Sequence, residues 1–544
     1  MKSAITILVF LLSTQLSYSQ FNLQINQTFN GTGNFNDAGN SIVLDNDNNI
    51  YSSGYTYGNA SGYDFVTIKY NQSGDREWFR IFNGDGNGND YAIASISRGN
   101  ELIVTGLCFG GNISYDYATI KYNSSGSVLW TSIYNGTGGG NDAVSGLAID
   151  NAGNIYVTGE SYGGSTNSYD YATVKYNADG VQQWVARYNG TGSSVDAAVD
   201  ICVDDQQNVY VTGQSTGKGS SVDYVTIKYN STGAEQWVAR YNGPANDIDK
   251  GTSVRVNNSG EVYVSGFSRG VGTIFDYTTI KYDNQGNEQW VRRFNGTANS
   301  SDIPSDMDID NQGNLIITGV TNSDVNGNQS DYATLKYDPS GNLLWTSIYN
   351  GTANNNDSAT ALIIDNEGNI FVTGKSSGTG TSFDCVTIEY NQSGSQKYLT
   401  RYNRDGISND FANSICLDSF KDSYITGGSA LSGSYQDLIA IKYSKVSGIT
   451  VLSNSIPSGF ELKQNYPNPF NPVTNINYSV ASGSYLSIKI SDVLGNEIGT
   501  LVNEYQNPGE YSVSWNAEKY PSGVYYYSLK TDKFSETKRM LLIK

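Results

Sequence analysis

Asp64-Phe65-Val66-Thr67-Ile68-Lys69-Tyr70 decides the fold, because the chain keeps returning to it. The line Asp-aromatic-x-Thr-aliphatic-Lys-Tyr starts again at Asp116, Asp170, Asp223, Asp276, Asp331, Asp384 and Asp437, at intervals of 52 to 55 residues. The seventh copy departs from it at Cys385 and Glu389, the eighth at Leu438 and Ala440. A fixed period of this length marks a repeat architecture. Working outward from the third copy, the unit divides into four strand-like runs. Run A is Leu147–Asp150, run B is Asn154–Gly159, run C is Asp170–Tyr176 and run D is Gln183–Tyr188. The turns Asn151-Ala152-Gly153 and Asn177-Ala178-Asp179-Gly180 separate A from B and C from D, and the longer Ser161–Ser168 loop separates B from C. The runs are short, rich in β-branched and aromatic residues, and punctuated by Asn and Gly. No apolar stripe of period 3.6 and helical length interrupts them.

Four antiparallel strands in a unit of about 50 residues predict a propeller blade. Runs A, B and C occur eight times, but no run D follows the eighth. The missing run lies at the other end, where Ile25-Asn26-Gln27-Thr28-Phe29-Asn30-Gly31-Thr32-Gly33 matches Trp184-Val185-Ala186-Arg187-Tyr188-Asn189-Gly190-Thr191-Gly192. The expected fold is therefore all-β: an eight-bladed β-propeller over residues 20–443, closed by an N-terminal strand, so that no sheet edge stays open. A β-solenoid, the alternative, would carry atypical caps at its ends and not complementary fragments.

Composition narrows the chemistry. The 544 residues include no histidine, which excludes His general acid/base catalysis, Ser-His-Asp triads and histidine metal ligands. Lys and Arg number 33 against 52 Asp and Glu, a formal net charge of −19 that argues against nucleic-acid or anionic-membrane partners. The four cysteines share no spacing and form no CxxC, so they read as small buried hydrophobes without a disulfide or cysteine metal site.

The ends carry an address. Residues 1–19 read as a signal peptide: Lys2 opens it, Ala4–Leu12 is apolar, and Ser17-Tyr18-Ser19 offers a cleavage site before Gln20. The apolar run is too short for a membrane span. Residues 444–459 read as a linker, and from Phe460 the pattern changes. Asn465-Tyr466-Pro467-Asn468-Pro469-Phe470-Asn471-Pro472 is followed by alternating runs at Tyr485–Ile490, Tyr511–Trp515 and Val524–Leu529, and the chain ends on Lys538-Arg539-Met540-Leu541-Leu542-Ile543-Lys544. Residues 460–544 hold eight acids and eight bases, so the acidity belongs to the repeats.

Two resemblances follow from these residues. The units, in Gly153-Asn154-Ile155-Tyr156-Val157-Thr158-Gly159 above all, resemble the bacterial SBBP-type beta-propeller repeat, which implies a propeller in an exported protein and no particular activity. Residues 460–544, with their Pro-Asn-Pro-Phe opening, Gly495, Ser522-Gly523-Val524-Tyr525 and basic-apolar last strand, resemble the C-terminal sorting domain of type IX secretion cargo. That resemblance implies a small Ig-like β-sandwich, a partnership with the type IX secretion machinery, and a protein that is secreted or attached to the outer-membrane surface.

Sites are sought first on the face that carries the longer B–C and D–A loops. Two Asp positions recur there, one before run A (Asp37, Asp90, Asp142 and onward to Asp410) and one opening run C. They read as turn-fixing carboxylates that accept loop N–H groups. The alternative is a carboxylate ring for Ca²⁺ or a cationic ligand. No other metal or cofactor is expected. The Gly that ends every run B reads as a site of close backbone approach. Run A is expected to line the central channel. Its channel-facing positions are mostly small or apolar except in three consecutive units, which carry Asp200, Arg255, and Asp306 with Asp308. These four residues are the candidate ligand-binding site, with Arg255 fixing the acids or an anionic ligand group. A channel wall whose charges satisfy one another is the plainer reading. The expected function is an exported or surface scaffold that binds a glycan, peptide or protein. The alternative is a carboxylate-dependent enzyme acting on extracellular polysaccharide.

Overall fold

The computed structural model describes residues 21–544 apart from 59–60, 112–113, 165–168, 193, 220, 325–328, 446–449, 454–456, 507, 519 and 532–533. The expected signal peptide, residues 1–19, lies outside the described residues. Those residues are all strand, turn and loop, and no helix is long and apolar enough to cross a membrane. Two compact units are present, one spanning Gln24–Tyr443 and one taking in Ser444–Lys544.

The first unit is propeller-like: eight four-stranded antiparallel sheets in chain order. In the third sheet strand A is Asp142–Ile149, B Ile155–Tyr162, C Tyr169–Tyr176 and D Gln182–Tyr188. Seven sheets have the order A-B-C-D. In the eighth, Asp410–Leu417, Ser423–Ala430 and Gln436–Lys445 are joined at the outer edge by Phe21–Phe29, the segment that matched run D in the sequence. Burial explains the run compositions. Strands B and C are covered on both faces by neighbouring sheets, so they read as near-continuous apolar and small residues, whereas D alternates exposed and covered positions. The Thr residues inside them are paired across the strands, as in Thr158 with Thr173 at 2.9 Å. A Cβ on Gly159 would collide with the Ala143 carbonyl oxygen, so the recurring Gly is required by close backbone approach.

Sheet-to-sheet docking accounts for the turn-plus-Trp element. Trp184 donates its indole N–H to the Ser231 carbonyl at 3.1 Å and lies over Gly233, both in the next sheet's C–D turn. Gly233 has φ +81°, and a Cβ there would come within 2.7 Å of the indole. Trp78, Trp130, Trp237, Trp290 and Trp345 repeat the bond at 2.9–3.3 Å. In Phe21–Phe29, Ile25 takes the tryptophan's place over Gly74. A core cluster that includes Ile25, Phe29, Ile42, Val66, Leu438 and Ala440 joins the eighth sheet to the first.

The second unit holds two four-stranded sheets around one core that includes Leu462, Phe470, Ile488, Trp515, Tyr527 and Leu542. The segment expected to be a linker contributes a strand here: Thr450–Ser453 pairs with Gly509–Asn516 at Thr450↔Ser512. The Gly/Ser-rich composition hid a four-residue edge strand that needs only one partner. The proline-rich opening is pinned from inside, since Asn465 N–H donates to Tyr527 Oη at 2.8 Å and Tyr527 O–H donates to the Lys463 carbonyl at 2.9 Å. In the last strand, Met540 and Leu542 are buried while Leu541 stays outside.

Candidate functional site

Each strand A carries a bulge at one fixed register, between Val144 and Gly146 in the third sheet and between Pro304 and Asp306 in the sixth. The extra residue reaches the next sheet. Ser145, Ser305 and Thr360 hydroxyls donate to the carbonyls of Ala198, Ala359 and Ala412 at 2.8, 3.0 and 2.7 Å. The Asn40 and Asn413 amides do the same to Ala92 and Gly39 at 2.8 and 3.0 Å. The residue after the bulge accepts in return. Ser95 N–H donates to Ser41 Oγ at 3.1 Å, and Ile42 N–H to Ser414 Oγ at 3.3 Å.

Asp200 and Asp306 occupy this same register. Val254 N–H donates to Asp200 Oδ2 and Leu362 N–H to Asp306 Oδ2, both at 2.9 Å. Their inner oxygens accept from the following residues, Ile201 at 2.9 Å and Met307 at 2.8 Å. Two of the four predicted residues thus do what serine does elsewhere in the array, with a charge added. Arg255 and Asp308 lie two residues past the bulge register. The Arg255 guanidinium meets Asp200 Oδ2 at 2.8 Å through Nη1, Asp306 Oδ1 at 3.4 Å through Nη2 and Asp308 Oδ1 at 4.0 Å through Nε. The sequence-predicted residues therefore form one cluster across three adjacent sheets.

Three carboxylates share one guanidinium. Burial pushes the Asp306 carboxyl up to about 6 against the pull of Arg255, with Asp200 adding repulsion. Burial also raises Asp308, again opposed by Arg255. Burial works against the Arg255 charge, but the three acids outweigh it and hold the guanidinium above its ordinary range. Arg255 is turned toward the acids, so the cluster favours a cationic or hydroxyl-donating group over an anion. Asp308 is the most available acid of the three, with 42 % of its side chain exposed and a hydrogen bond from Ile309 N–H.

The recurring Asp residues fix loops. Asp142 accepts from Gly136 N–H at 2.6 Å and Tyr162 N–H at 3.0 Å, tying the D–A loop to the end of strand B. Asp90, Asp196 and Asp357 repeat the pattern. In four sheets the Asp opening run C is held by an Arg of strand D, Arg187 to Asp170, Arg240 to Asp223, Arg293 to Asp276 and Arg401 to Asp384, at 2.6–2.9 Å, while Ile81 and Ile348 take the Arg position in the first and sixth. In the eighth sheet Arg404 of the D–A loop supplies the cation to Asp437 at 2.6 Å. Among the described residues no group of three or more Cys, Asp or Glu is arranged to hold a metal ion. The four cysteines are free thiols.

Sequence reasoning missed one break in this pattern. Cys108 stands where the other sheets carry Ser or Thr, and Ile133 stands where Arg187 does, so the second sheet lacks both donors. Burial pushes Asp90 and Asp116 up to about 6 each. The signal was in plain view, in a Cys aligned with hydroxyls, but a buried hydrophobe was the simpler reading.

Residues 464–544 match the secretion system C-terminal sorting domain. This sorting domain marks the chain as secreted or attached to the cell surface. No curated protein sequence matches the chain. Among solved structures it is similar to PorZ, a bacterial surface component of the type-IX secretion system of Porphyromonas gingivalis, at 14% identity and TM-score 0.33 over 92% of this chain and 74% of that one. A fungal alcohol oxidase of the AA5 family, in complex with copper, matches at 12% identity and TM-score 0.37 over 82% and 95% of the two chains. A protein of unknown function from Dyadobacter fermentans matches at 9% identity and TM-score 0.37 over 78% and 99%.

Proposed function

We propose that the chain is an exported eight-bladed propeller of SBBP type, closed by Phe21–Phe29, that is carried to the cell surface by its sorting domain and there binds a glycan, peptide or protein. The sorting domain carries this reading. It assigns a task outside the cell to a scaffold whose charged groups are mostly committed to holding it together. Closure is supported by the bonds between the eighth and first sheets, Asn413 to Gly39, Ile42 to Ser414, and Ser52 with Thr426 at 2.7 Å. Binding is favoured over turnover because both Asp306 oxygens accept backbone N–H groups and one also faces Arg255, which commits this carboxylate to holding neighbouring strands. The channel cluster Asp200, Arg255, Asp306 and Asp308 is the ligand point of this reading, with Asp308 meeting the ligand. Export involves cleavage of residues 1–19 and engagement of the type IX secretion machinery by residues 460–544.

Two experiments test it. A chain lacking residues 460–544 is expected to fold its propeller but fail to reach the surface, and surface display of that truncated form overturns the sorting role. For a ligand captured from an extracellular glycan and peptide array, Asp308→Asn and Arg255→Gln are expected to weaken binding. Unchanged affinity in both folded variants removes the site from the channel.

A further inference from the structure

The face that carries the B–C and D–A loops breaks its repeat in a second place, where the eighth sheet meets the seventh and first. In five units the D–A loop places an Asn in the left-handed region, at φ between +48° and +53°, as in Asn34 (φ 49°) and Asn354 (φ 48°). Ile407 stands at that position in the eighth. A β-branched residue is strained in the left-handed region, and Gly406 takes the positive φ, +85°, one residue earlier. The loop is recast, and Ile407 ends 58 % exposed. Two aromatics join it. Phe35 stands where other units carry Gly88 or Ser300, and Tyr435 where they carry Gly62 or Ser382. The two rings stack at 4.5 Å with 25° between planes, and Phe35 also meets Tyr57 at 4.5 Å. Tyr435, the outer ring of this row, is 47 % exposed and lines a cleft of about 330 Å³.

Beside Ile407, Ala430, Leu431 and Gly433, the cleft wall is amide and hydroxyl: Asn36, Asn409, Gln436, Ser382, Ser408 and Ser434. Asn36 and Asn409 spend their carbonyl oxygens on Gln436 N–H at 3.1 Å and Phe383 N–H at 3.3 Å, which turns their –NH₂ donors to other use. Among the described residues no lysine, arginine or carboxylate lines the cleft. The charges behind it are engaged: Arg404 holds Asp437, and Asp405 accepts from Ile407, Ser408 and Ser432 N–H. A rigid exposed ring offers an apolar platform, and Asn, Gln and Ser around it offer many neutral hydrogen bonds. That chemistry matches a ligand with an apolar C–H face and a rim of hydroxyls.

We propose that this cleft is a binding site for a neutral saccharide, whose pyranose ring stacks on Tyr435 while its hydroxyls meet the amides of Asn36, Asn409 and Gln436. Phe35 positions Tyr435 and does not touch the sugar. The proposal shares with the proposed function the premise that the chain binds extracellular ligands, but it uses none of the channel residues.

The test is calorimetry and saturation-transfer NMR on the full chain with cellotetraose, mannotetraose and tetra-N-acetylchitotetraose, with tetragalacturonate and tetralysine as charged probes. At least one neutral tetraose is expected to bind saturably. Tyr435→Ala should abolish that binding, and Tyr435→Phe should keep it. Asn409→Asp and Gln436→Glu, which preserve shape and remove donors, should weaken it about 10-fold. Should Tyr435→Ala fail to fold, the two amide variants decide. The site is overturned if no neutral tetraose binds, if a charged probe is preferred, or if Tyr435→Ala or both amide variants bind as the parent does. Loss of binding in Arg255→Gln with retention in Tyr435→Ala overturns the cleft and leaves the channel reading standing. If the parent binds nothing while Tyr435→Ala lowers the melting temperature, the aromatic row is a fastener between sheets and not a site.

Discussion

Replacing Ile25 or Phe29 with alanine tests whether the first strand of the chain holds its last sheet. Both side chains are 5 % exposed within the core that joins the eighth sheet to the first. Ile25 covers the Gly74 turn, and Phe29 packs 5.3 Å from Phe79 under the Arg76 guanidinium. Buried Ile→Ala changes cost about 2–5 kcal/mol and Phe→Ala about 3–5 kcal/mol, lost transfer energy plus residual cavity. Four residues apart on one strand, the sites are about 13 Å from each other, so the losses should add. Unfolding entropy is roughly 2.1 cal/mol/K per residue, which for a cooperative Gln24–Tyr443 unit is about 0.9 kcal/mol/K. A loss of about 3 kcal/mol then lowers the melting temperature by about 3 °C, and the double variant by about 6–8 °C. Calorimetry on the full chain reads the shift. Hydrogen exchange should place the first loss of protection in Asp410–Leu417, Ser423–Ala430 and Gln436–Lys445. Melting within 1 °C of the parent for both single variants refutes the reasoning, because the strand would then lie on the sheet without supporting it.

Trp184→Ala removes a partly buried ring and its bond to the next sheet and should cost about 2–4 kcal/mol, measured by denaturant unfolding; a change under 0.5 kcal/mol would mean the indole does not dock the sheets. Gly159→Ala should cost about 3 kcal/mol because its Cβ meets backbone that cannot yield, and a neutral result would place the strands farther apart than described. The Asp116 carboxyl, near 6 when folded against an ordinary 3.8, binds its proton more readily in the folded state. Its ionisation therefore destabilises the fold above pH 6, and that penalty fades as pH falls toward 4. Asp116→Asn should accordingly raise the melting temperature at pH 7.5 and leave it unchanged at pH 4, and equal effects at both would sink the argument.

The fold was legible because its signals repeat. Eight copies of one line fix the period, and Trp184 with Gly233 is a docking element that can be recognised before its partner is known. The loop-fixing role of Asp142 was legible for the same reason, since a residue needed in every unit belongs to the unit. The Arg255 cluster was found by the opposite logic, as a departure, but sequence could not separate Asp200 and Asp306 from Asp308. That distinction depends on a bulge register that moves one position of each strand A onto the next sheet's N–H. The strand at Thr450–Ser453 was invisible because a four-residue edge segment has too little alternation to stand out. Phe35 and Tyr435 were hidden by distance, about 400 residues apart in a chain whose first and eighth sheets are neighbours.

Each sheet is bonded to the one that follows it in the chain. Trp130, Lys121 and Tyr117 of the second sheet all donate to carbonyls of the third, 43 to 57 residues ahead. During synthesis each sheet therefore waits for its successor before it is locked, and the strand made first waits for the eighth sheet. The propeller-like unit cannot complete its tertiary lock until residue 443 has been made, so its last contacts to form include those of its first strand.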